Sequence, residues 1–221
     1  MKLTYYGYRP FDIASGKLTV LATAAPKIYR DLVMGLRGDT ESVRLATDDF
    51  DLLNNQRDAH WYGDPLLEID LNGLFQRKLQ AQLLKTLSNQ QVVQLTGDWQ
   101  QLLTQILGTS YLMDVPMAVP ETPELVKLIK LSGLRLAEDS TQTPYAILET
   151  LIKTLEELHD QRLTVLTNVS HYLQVPQLEA LGKVVAEADL PVIVIEFSET
   201  RQVNYFKSCQ YYYIDRDFVL W

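Results

Sequence analysis

The segment that most constrains the fold is residues 162–197, which reads as a strand, a helix and a second strand. Residues 162–168 are a short run rich in β-branched side chains that stops at a polar residue. Residues 177–188 carry apolar side chains at helical spacing, and residues 190–197 are almost continuously apolar. A strand without polar alternation is covered on both faces, as in a parallel sheet flanked by helices. The sequence therefore predicts an α/β fold with a mostly parallel sheet, whose ligands would lie at the carboxyl ends of the strands.

The first part of the chain also alternates predicted strands and helices. Residues 18–22 predict a buried strand, and Pro26 opens a helix of about ten residues. Residues 43–47 alternate in polarity, as a half-buried strand does. Residues 66–71 predict a further strand, whereas the region around His60 reads as a loop.

The composition changes after residue 72. Residues 74–108 are rich in leucine and glutamine and predict two helices, the second beginning after Thr96-Gly97-Asp98 as its cap. Prolines break residues 113–123 into a loop, and residues 134–136 return to strand. We therefore expect a head domain in two parts, residues 1–72 and 134–221, with a helical insertion at 73–133.

Charge and composition exclude several classes of protein. The 221 residues have a net charge of −8, contain one cysteine and hold no apolar run of membrane-spanning length. The N-terminus lacks the apolar core of a signal peptide, so a cytoplasmic location without a membrane partner is expected. Residues 136–221 carry six basic and thirteen acidic side chains, so most of the net negative charge lies there. A basic patch in the first two thirds of the chain is therefore compatible with the overall charge.

The residues after the first buried strand argue against nucleotide hydrolysis. A phosphate loop needs a glycine-rich turn and a lysine. The turn at residues 23–27 has no glycine, and Pro26 has no backbone N–H. The three histidines, His60, His159 and His171, have no partner at ligand spacing and are interpreted as structural.

An ordered set of segments resembles a known family. These are the helix from Thr143-Pro144 to Leu158 and the segments at 16–21, 163–168, 192–196 and 213–220. Together they resemble the short form of the type II-A CRISPR-associated adaptation protein, the ring-forming DNA-binding subunit of the spacer-acquisition module. The resemblance covers about residues 1–40 and 125–221.

The resemblance implies a degenerate nucleotide-binding-like head with a helical leg, without nuclease or ATPase activity. It also implies a homotetrameric ring that threads double-stranded DNA ends, with the integrase subunits and the effector nuclease of the same locus as partners. Calcium stiffens the legs in the family, and the corresponding acids here are Asp114, Glu121 and Glu124. Pro116, Ala118 and Pro120 stand where further carboxylates are expected, so calcium binding is expected to be weak.

The leading hypothesis is thus a non-enzymatic DNA-end-binding ring that is basic only where DNA passes, with affinity from phosphate contacts and little sequence preference. Two other classes remain open: a nucleotide-dependent enzyme on the same fold, and a protein-interaction module that docks through its leucine-rich helices. Seven of the basic residues outside the acidic C-terminal third are the candidate DNA-binding residues: Lys27, Arg30, Arg37, Arg44, Lys127, Lys130 and Arg135.

Overall fold

In the computed structural model, which describes residues 1–122, 124–137 and 142–221, strands and helices alternate along much of the chain. The strands are β1 (Lys2–Tyr5), β2 (Phe11–Asp12), β3 (Leu18–Thr23), β4 (Val43–Ala46), β5 (Ala59–Gly63), β6 (Leu163–Thr167), β7 (Val192–Phe197) and β8 (Gln210–Ile214). The helices are α1 (Pro26–Leu36), α2 (Asn55–Asp58), α3 (Pro65–Glu68), α4 (Leu71–Thr86), α5 (Asn89–Ser110), α6 (Leu125–Leu131), α7 (Pro144–Glu157) and α8 (Val175–Ala188), and a 3₁₀ turn covers Val169–His171.

The main sheet contains five parallel strands in the order β5-β6-β7-β3-β8. Every side chain of β3 and β6 is buried, as expected for strands covered on both faces. The prediction of an α/β fold with a mostly parallel sheet is confirmed. A second sheet, β2-β1-β4, is antiparallel, with Leu3 opposite Leu45.

Two helix starts that the sequence predicted carry the expected residues. Pro26 occupies the first turn of α1, which buries Ile28, Leu32 and Leu36. At the start of α7 the Thr143 hydroxyl accepts the backbone N–H of Ala146 at 3.1 Å. Such a cap satisfies one of the backbone donors that a helix end leaves without a partner.

The chain divides into two compact units. One comprises Met1–Leu71 with Ala137–Trp221 and is called the α/β unit; the other, Asn72–Leu136, is called the helical unit. No helix among the described residues is long and apolar enough to cross a membrane.

The predicted strand at residues 66–71 is wrong. Asp64 accepts the backbone N–H of Leu66 at 3.0 Å, and Pro65 occupies the first turn of α3. A cap followed by proline starts a helix, and this local signal outweighs the apolar alternation that follows it. The strand in this part of the chain is β5, where a loop was predicted; it pairs with β6 at one edge of the sheet.

Two predictions in the helical unit are also wrong. The second helix begins at Asn89, because Ser88 and Gln91 form a capping box, and α5 runs straight through Thr96-Gly97-Asp98. Residues 134–136 are not a strand. The carbonyl of Leu134 accepts the side-chain amides of Gln76 and Gln80, and the N–H of Leu136 donates to Asn72. Side chains thus satisfy backbone groups that a sheet would otherwise pair.

The end of the chain folds back on the sheet. Leu220 forms an antiparallel bridge with Ile214, the last residue of β8. Asp215 accepts the backbone N–H groups of Asp217 and Val219, each at 2.9 Å. Asp215 thus stabilises the turn between two short extended segments.

Candidate nucleic-acid interface

The turn between β3 and α1 lies at the carboxyl edge of the main sheet, where a fold of this class binds ligands. Two of its backbone donors are already in use: the N–H of Ala24 donates to the Ile214 carbonyl at 2.9 Å, and that of Ala25 donates to the Thr23 hydroxyl at 3.0 Å. Pro26 has no N–H group. A phosphate cradle requires several such groups aimed outward at the anion. This turn is therefore unsuited to binding a phosphate.

A buried carboxylate lies next to that turn, at the end of β7. Glu196 is fully buried, and its two oxygens accept the backbone N–H and the hydroxyl of Ser170 at 2.9 and 2.8 Å. Burial raises the pKa of Glu196 above its ordinary value, because desolvation disfavours the charged form, and the hydrogen bonds from Ser170 oppose this increase. The carboxyl group thus fixes the segment after β6 to the end of β7. Sequence reasoning missed it, although one glutamate at the end of an apolar strand was a visible signal.

We expect Glu196→Gln to change how stability depends on pH. The folded protein holds the Glu196 proton more tightly than the unfolded chain, so its contribution to stability decreases as pH rises from the ordinary pKa of 4.5 through the raised value. Glutamine keeps the shape and cannot titrate, so the variant should lose this decrease. Urea unfolding at several pH values measures it. Unchanged pH dependence in the variant would show that Glu196 does not titrate in this range.

Polar residues beyond β6 complete this edge. Asn168 has a left-handed backbone with φ of 59°, and its side chain accepts the Tyr29 hydroxyl at 3.2 Å. The Tyr205 hydroxyl donates to the Leu173 carbonyl at a short distance. These contacts connect α1 and the segment before β8 to residues 168–173, the segment that follows β6. These hydrogen bonds brace this part of the edge, which suits a structural role.

The predicted DNA-binding residues of the α/β unit are all exposed, but three of the four are paired with acids. Lys27, Arg30 and Arg37 share the outer side of α1 and its C-terminal cap. Arg30 lies 3.6 Å from Asp31, and the Arg37 guanidinium 3.2 Å from Asp39 and over the Trp61 ring.

Arg44 projects from β4 and pairs with Glu41 at 3.0 Å. Within the described parts of the chain, Lys27 forms no ion pair. A cation already paired with a carboxylate contributes less field to an approaching phosphate, so Lys27 is the strongest of these four candidates.

The helical unit holds the other three candidates. Lys127 and Lys130 are exposed on α6, and Lys127 is paired with Glu124 at 2.8 Å. Lys130 lies with Arg77 beside a mostly apolar cavity of about 240 Å³ between α4 and α6. Arg135 is exposed just after α6.

Three cations of this unit were missed by sequence reasoning: Arg77, Lys78 and Lys85, all exposed on α4. Together with Lys130 they form no ion pair with any residue that the structure describes. Acids just before α4, at Asp64, Glu68 and Asp70, offset these cations in the sequence. Residues 72–136 carry six basic and four acidic side chains, whereas the rest of the chain carries fourteen and twenty-four. The helical unit is therefore net +2 in a protein of net −8.

The three candidate calcium ligands do not come together. Asp114 and Glu121 are exposed in the segment between α5 and α6, and Glu124 is engaged with Lys127. Across residues 1–122, 124–137 and 142–221, no group of three or more histidine, cysteine or acidic side chains is arranged to hold a metal ion. Pro123, part of the predicted loop, lies outside the described residues. Calcium binding stays a prediction.

No family model matches this chain, and no curated protein matches its sequence. The fold does have solved counterparts. The crystal structure of Stu0660 of Streptococcus thermophilus is similar at a TM-score of 0.54 and 11% identity, over 97% of this chain and 74% of that one. MJ1267, an ATP-binding cassette of an ABC transporter in its ADP conformation, reaches a TM-score of 0.45 at 11% identity, over 97% of this chain and 84% of that one. The likeness to Stu0660 establishes a shared fold, and the likeness to MJ1267 is too weak to add to it.

Proposed function

We propose that this chain binds the ends of double-stranded DNA, without cutting them and without sequence preference, as a homotetrameric ring in CRISPR spacer acquisition. The proposal starts from the ordered segments that resemble the type II-A adaptation protein. A shared fold with Stu0660 is compatible with it. The cytoplasm would be its location, and the integrase subunits and effector nuclease of the locus its partners.

The observation that carries the proposal is the charge of the helical unit. Its net charge of +2, against −10 for the rest of the chain, concentrates attraction for phosphates on one part of an acidic protein. Four of its cations are free of ion pairs among the described residues, so binding to DNA would not require a salt bridge to break. Exposed lysines and arginines of this kind supply affinity for any sequence, since phosphates carry no base information.

Self-association is supported by the apolar surface of the same unit. Three of its large apolar side chains are buried in the described part, Phe75, Leu103 and Ile129, while thirteen are exposed. The exposed ones are Leu74, Leu83, Val93, Leu102, Ile106, Tyr111, Leu112, Met113, Val115, Met117, Val126, Leu131 and Leu134. So many exposed apolar side chains in one small unit favour association, so contacts with further copies would cover them.

A non-catalytic role is favoured over a nucleotide-dependent enzyme. Two backbone donors of the turn after β3 are engaged within the protein, and Pro26 removes another. In this proposal calcium, if bound at Asp114, Glu121 and Glu124, would be a structural ion held weakly, because calcium prefers six to eight oxygen ligands.

The test compares a blunt linear duplex with a covalently closed circle of the same sequence. We expect the linear form to bind and the closed circle to bind weakly, because a closed ring can be threaded only from a free end. Binding should weaken steeply between about 50 and 200 mM salt, as several phosphate contacts require. Mobility shift measures the affinity, and light scattering of the free protein measures the mass of the ring.

Three outcomes would contradict the proposal. Equal affinity for circular and linear duplex would exclude threading, and a monomer at micromolar concentration in low and moderate salt would exclude a ring. Cleavage of either DNA in the presence of magnesium, calcium or ATP would exclude a non-enzymatic role.

A further inference from the structure

A cavity lies at the amino edge of the main sheet, opposite the edge considered above. It has a volume of about 730 Å³ and lies between α8 and the chain leading into β3 and β8. These two strands are parallel neighbours, with Thr19 opposite Gln210, so the residues just before them lie side by side. We call this space the amino-edge cavity. Its volume is within the range of small-molecule sites.

Three lysines from separate segments surround the amino-edge cavity. Lys17 precedes β3, Lys183 lies on α8, and Lys207 precedes β8. Glu179 is the acid among the lining residues and lies 3.2 Å from the Lys207 ammonium. Lys17 and Lys183 form no ion pair with any described residue. In a unit of net charge −10, two unpaired ammonium groups beside one cavity form a local region of opposite sign.

Helix α8 forms one wall of the amino-edge cavity and presents a glycine, Gly182, to it. Glu179, Gly182, Lys183 and Ala186 line the cavity at the spacing of one helix face. A Cβ atom added at Gly182 would meet no other atom within 4 Å, so packing does not require a glycine there. Glycine inside a helix is less stable than alanine, and its absence of a side chain leaves the space free for a ligand.

The cysteine thiol among the lining residues carries no negative charge. Burial raises the pKa of the Cys209 thiol to about 11, so this side chain is neutral at pH 7. Asp189 does not line the cavity, but its carboxylate lies 3.2 Å from the position of a Cβ added at Gly16, so it is an acid that the lysines must outweigh. All three cations are lysines, which bind phosphate as point charges, whereas planar carboxylates favour the fork of arginine.

We propose that the amino-edge cavity binds a small molecule carrying two or more phosphate groups, held by Lys17 and Lys183 with Lys207 beside them. The ligand enters from solvent, and its phosphates pair with the ammonium groups of Lys17 and Lys183. Gly182 leaves room for it on the α8 side. Its residues belong to the α/β unit, whereas the DNA-binding surface is proposed on residues of the helical unit.

Isothermal titration calorimetry of the full chain with inorganic tripolyphosphate tests the proposal. Wild type should bind, and Lys17→Ala with Lys183→Ala should weaken binding at least tenfold. The matched control, Arg57→Ala with Lys153→Ala, removes the same charge from ion-paired surface positions and should have little effect. Gly182→Leu should weaken binding by filling the space without changing charge, and its thermal unfolding shows whether it remains folded.

A second readout uses the single cysteine of the chain. Tripolyphosphate should slow alkylation of Cys209 in the wild type and leave the rate unchanged in the double lysine variant. Absence of binding at millimolar tripolyphosphate would overturn the proposal, as would an equal loss in the control. Citrate binding as tightly as tripolyphosphate would overturn the assignment to phosphate. Loss of duplex DNA binding in the double lysine variant, without tripolyphosphate binding to the wild type, would assign these lysines to the DNA surface instead.

Discussion

Replacing Arg77, Lys85 and Lys130 together with glutamine is expected to weaken binding of a blunt linear duplex on the order of 100-fold at 50 mM salt. All three are exposed in the helical unit and form no ion pair among the described residues, so each can neutralise a phosphate. Each lost phosphate contact should also reduce the slope of log affinity against log salt by about 0.9. Mobility shift at several salt concentrations gives both quantities.

The control triple carries glutamine at Arg57, Lys153 and Arg216. It changes the net charge by the same amount, but each of these cations is exposed in the α/β unit and paired with an acid: Asp58, Glu149 and Glu199. Its affinity and salt slope should stay close to those of the wild type. Equal losses in both triples would mean that only total charge matters and that the helical unit has no special part in binding.

Truncating one fully buried side chain of the main sheet is expected to have the largest effect on stability. Leu21 is fully buried in β3, between β7 and β8, and belongs to the hydrophobic core of the α/β unit. Leu21→Ala should reduce the free energy of unfolding by about 2–5 kcal/mol, because the lost transfer energy adds to the energy of the cavity left behind. Urea unfolding followed by circular dichroism measures the change.

Leu67→Ala is the matched control, since Leu67 is 80% exposed in α3 and its truncation should change stability by less than about 0.5 kcal/mol. A loss of less than about 1 kcal/mol at Leu21 would indicate that β3 lies outside the cooperative core. A change in the dependence on urea concentration would instead indicate that unfolding had ceased to be two-state.

The local sequence was sufficient to predict an element wherever the residues that specify it lie within a few positions of one another. The apolar run that became β7 could be accommodated only in a sheet covered on both sides, and Thr143-Pro144 specified the start of α7. Local reading failed where two signals competed. The alternation at residues 66–71 resembles a strand, but Asp64 and Pro65 start a helix just before it. Ser88 and Gln91 likewise fixed the start of α5, with only two residues between it and the end of α4.

The candidate site was only partly predictable. The absence of a glycine-rich turn after β3 could be read directly, and Lys27 and Lys130 remain the best of the candidates first chosen. Which cations are already paired could not be read, because Arg37–Asp39 and Arg44–Glu41 depend on where side chains point. The three lysines of the amino-edge cavity are up to 190 positions apart in the chain, and no local pattern connects Lys17 with Lys183 and Lys207.

The sequence by itself determined the α/β class, the buried strands β3, β6 and β7 and the acidic character of the chain, because periodicity, caps and composition are local properties. The tertiary structure alone decided that Glu196 is held by Ser170, that β5 is an edge strand beside β6, and that the backbone at residues 134–136 is satisfied by glutamine and asparagine side chains. Each of these depends on which distant segments meet. Pairing between distant segments is set by the packing of the whole core, which no short stretch of sequence encodes.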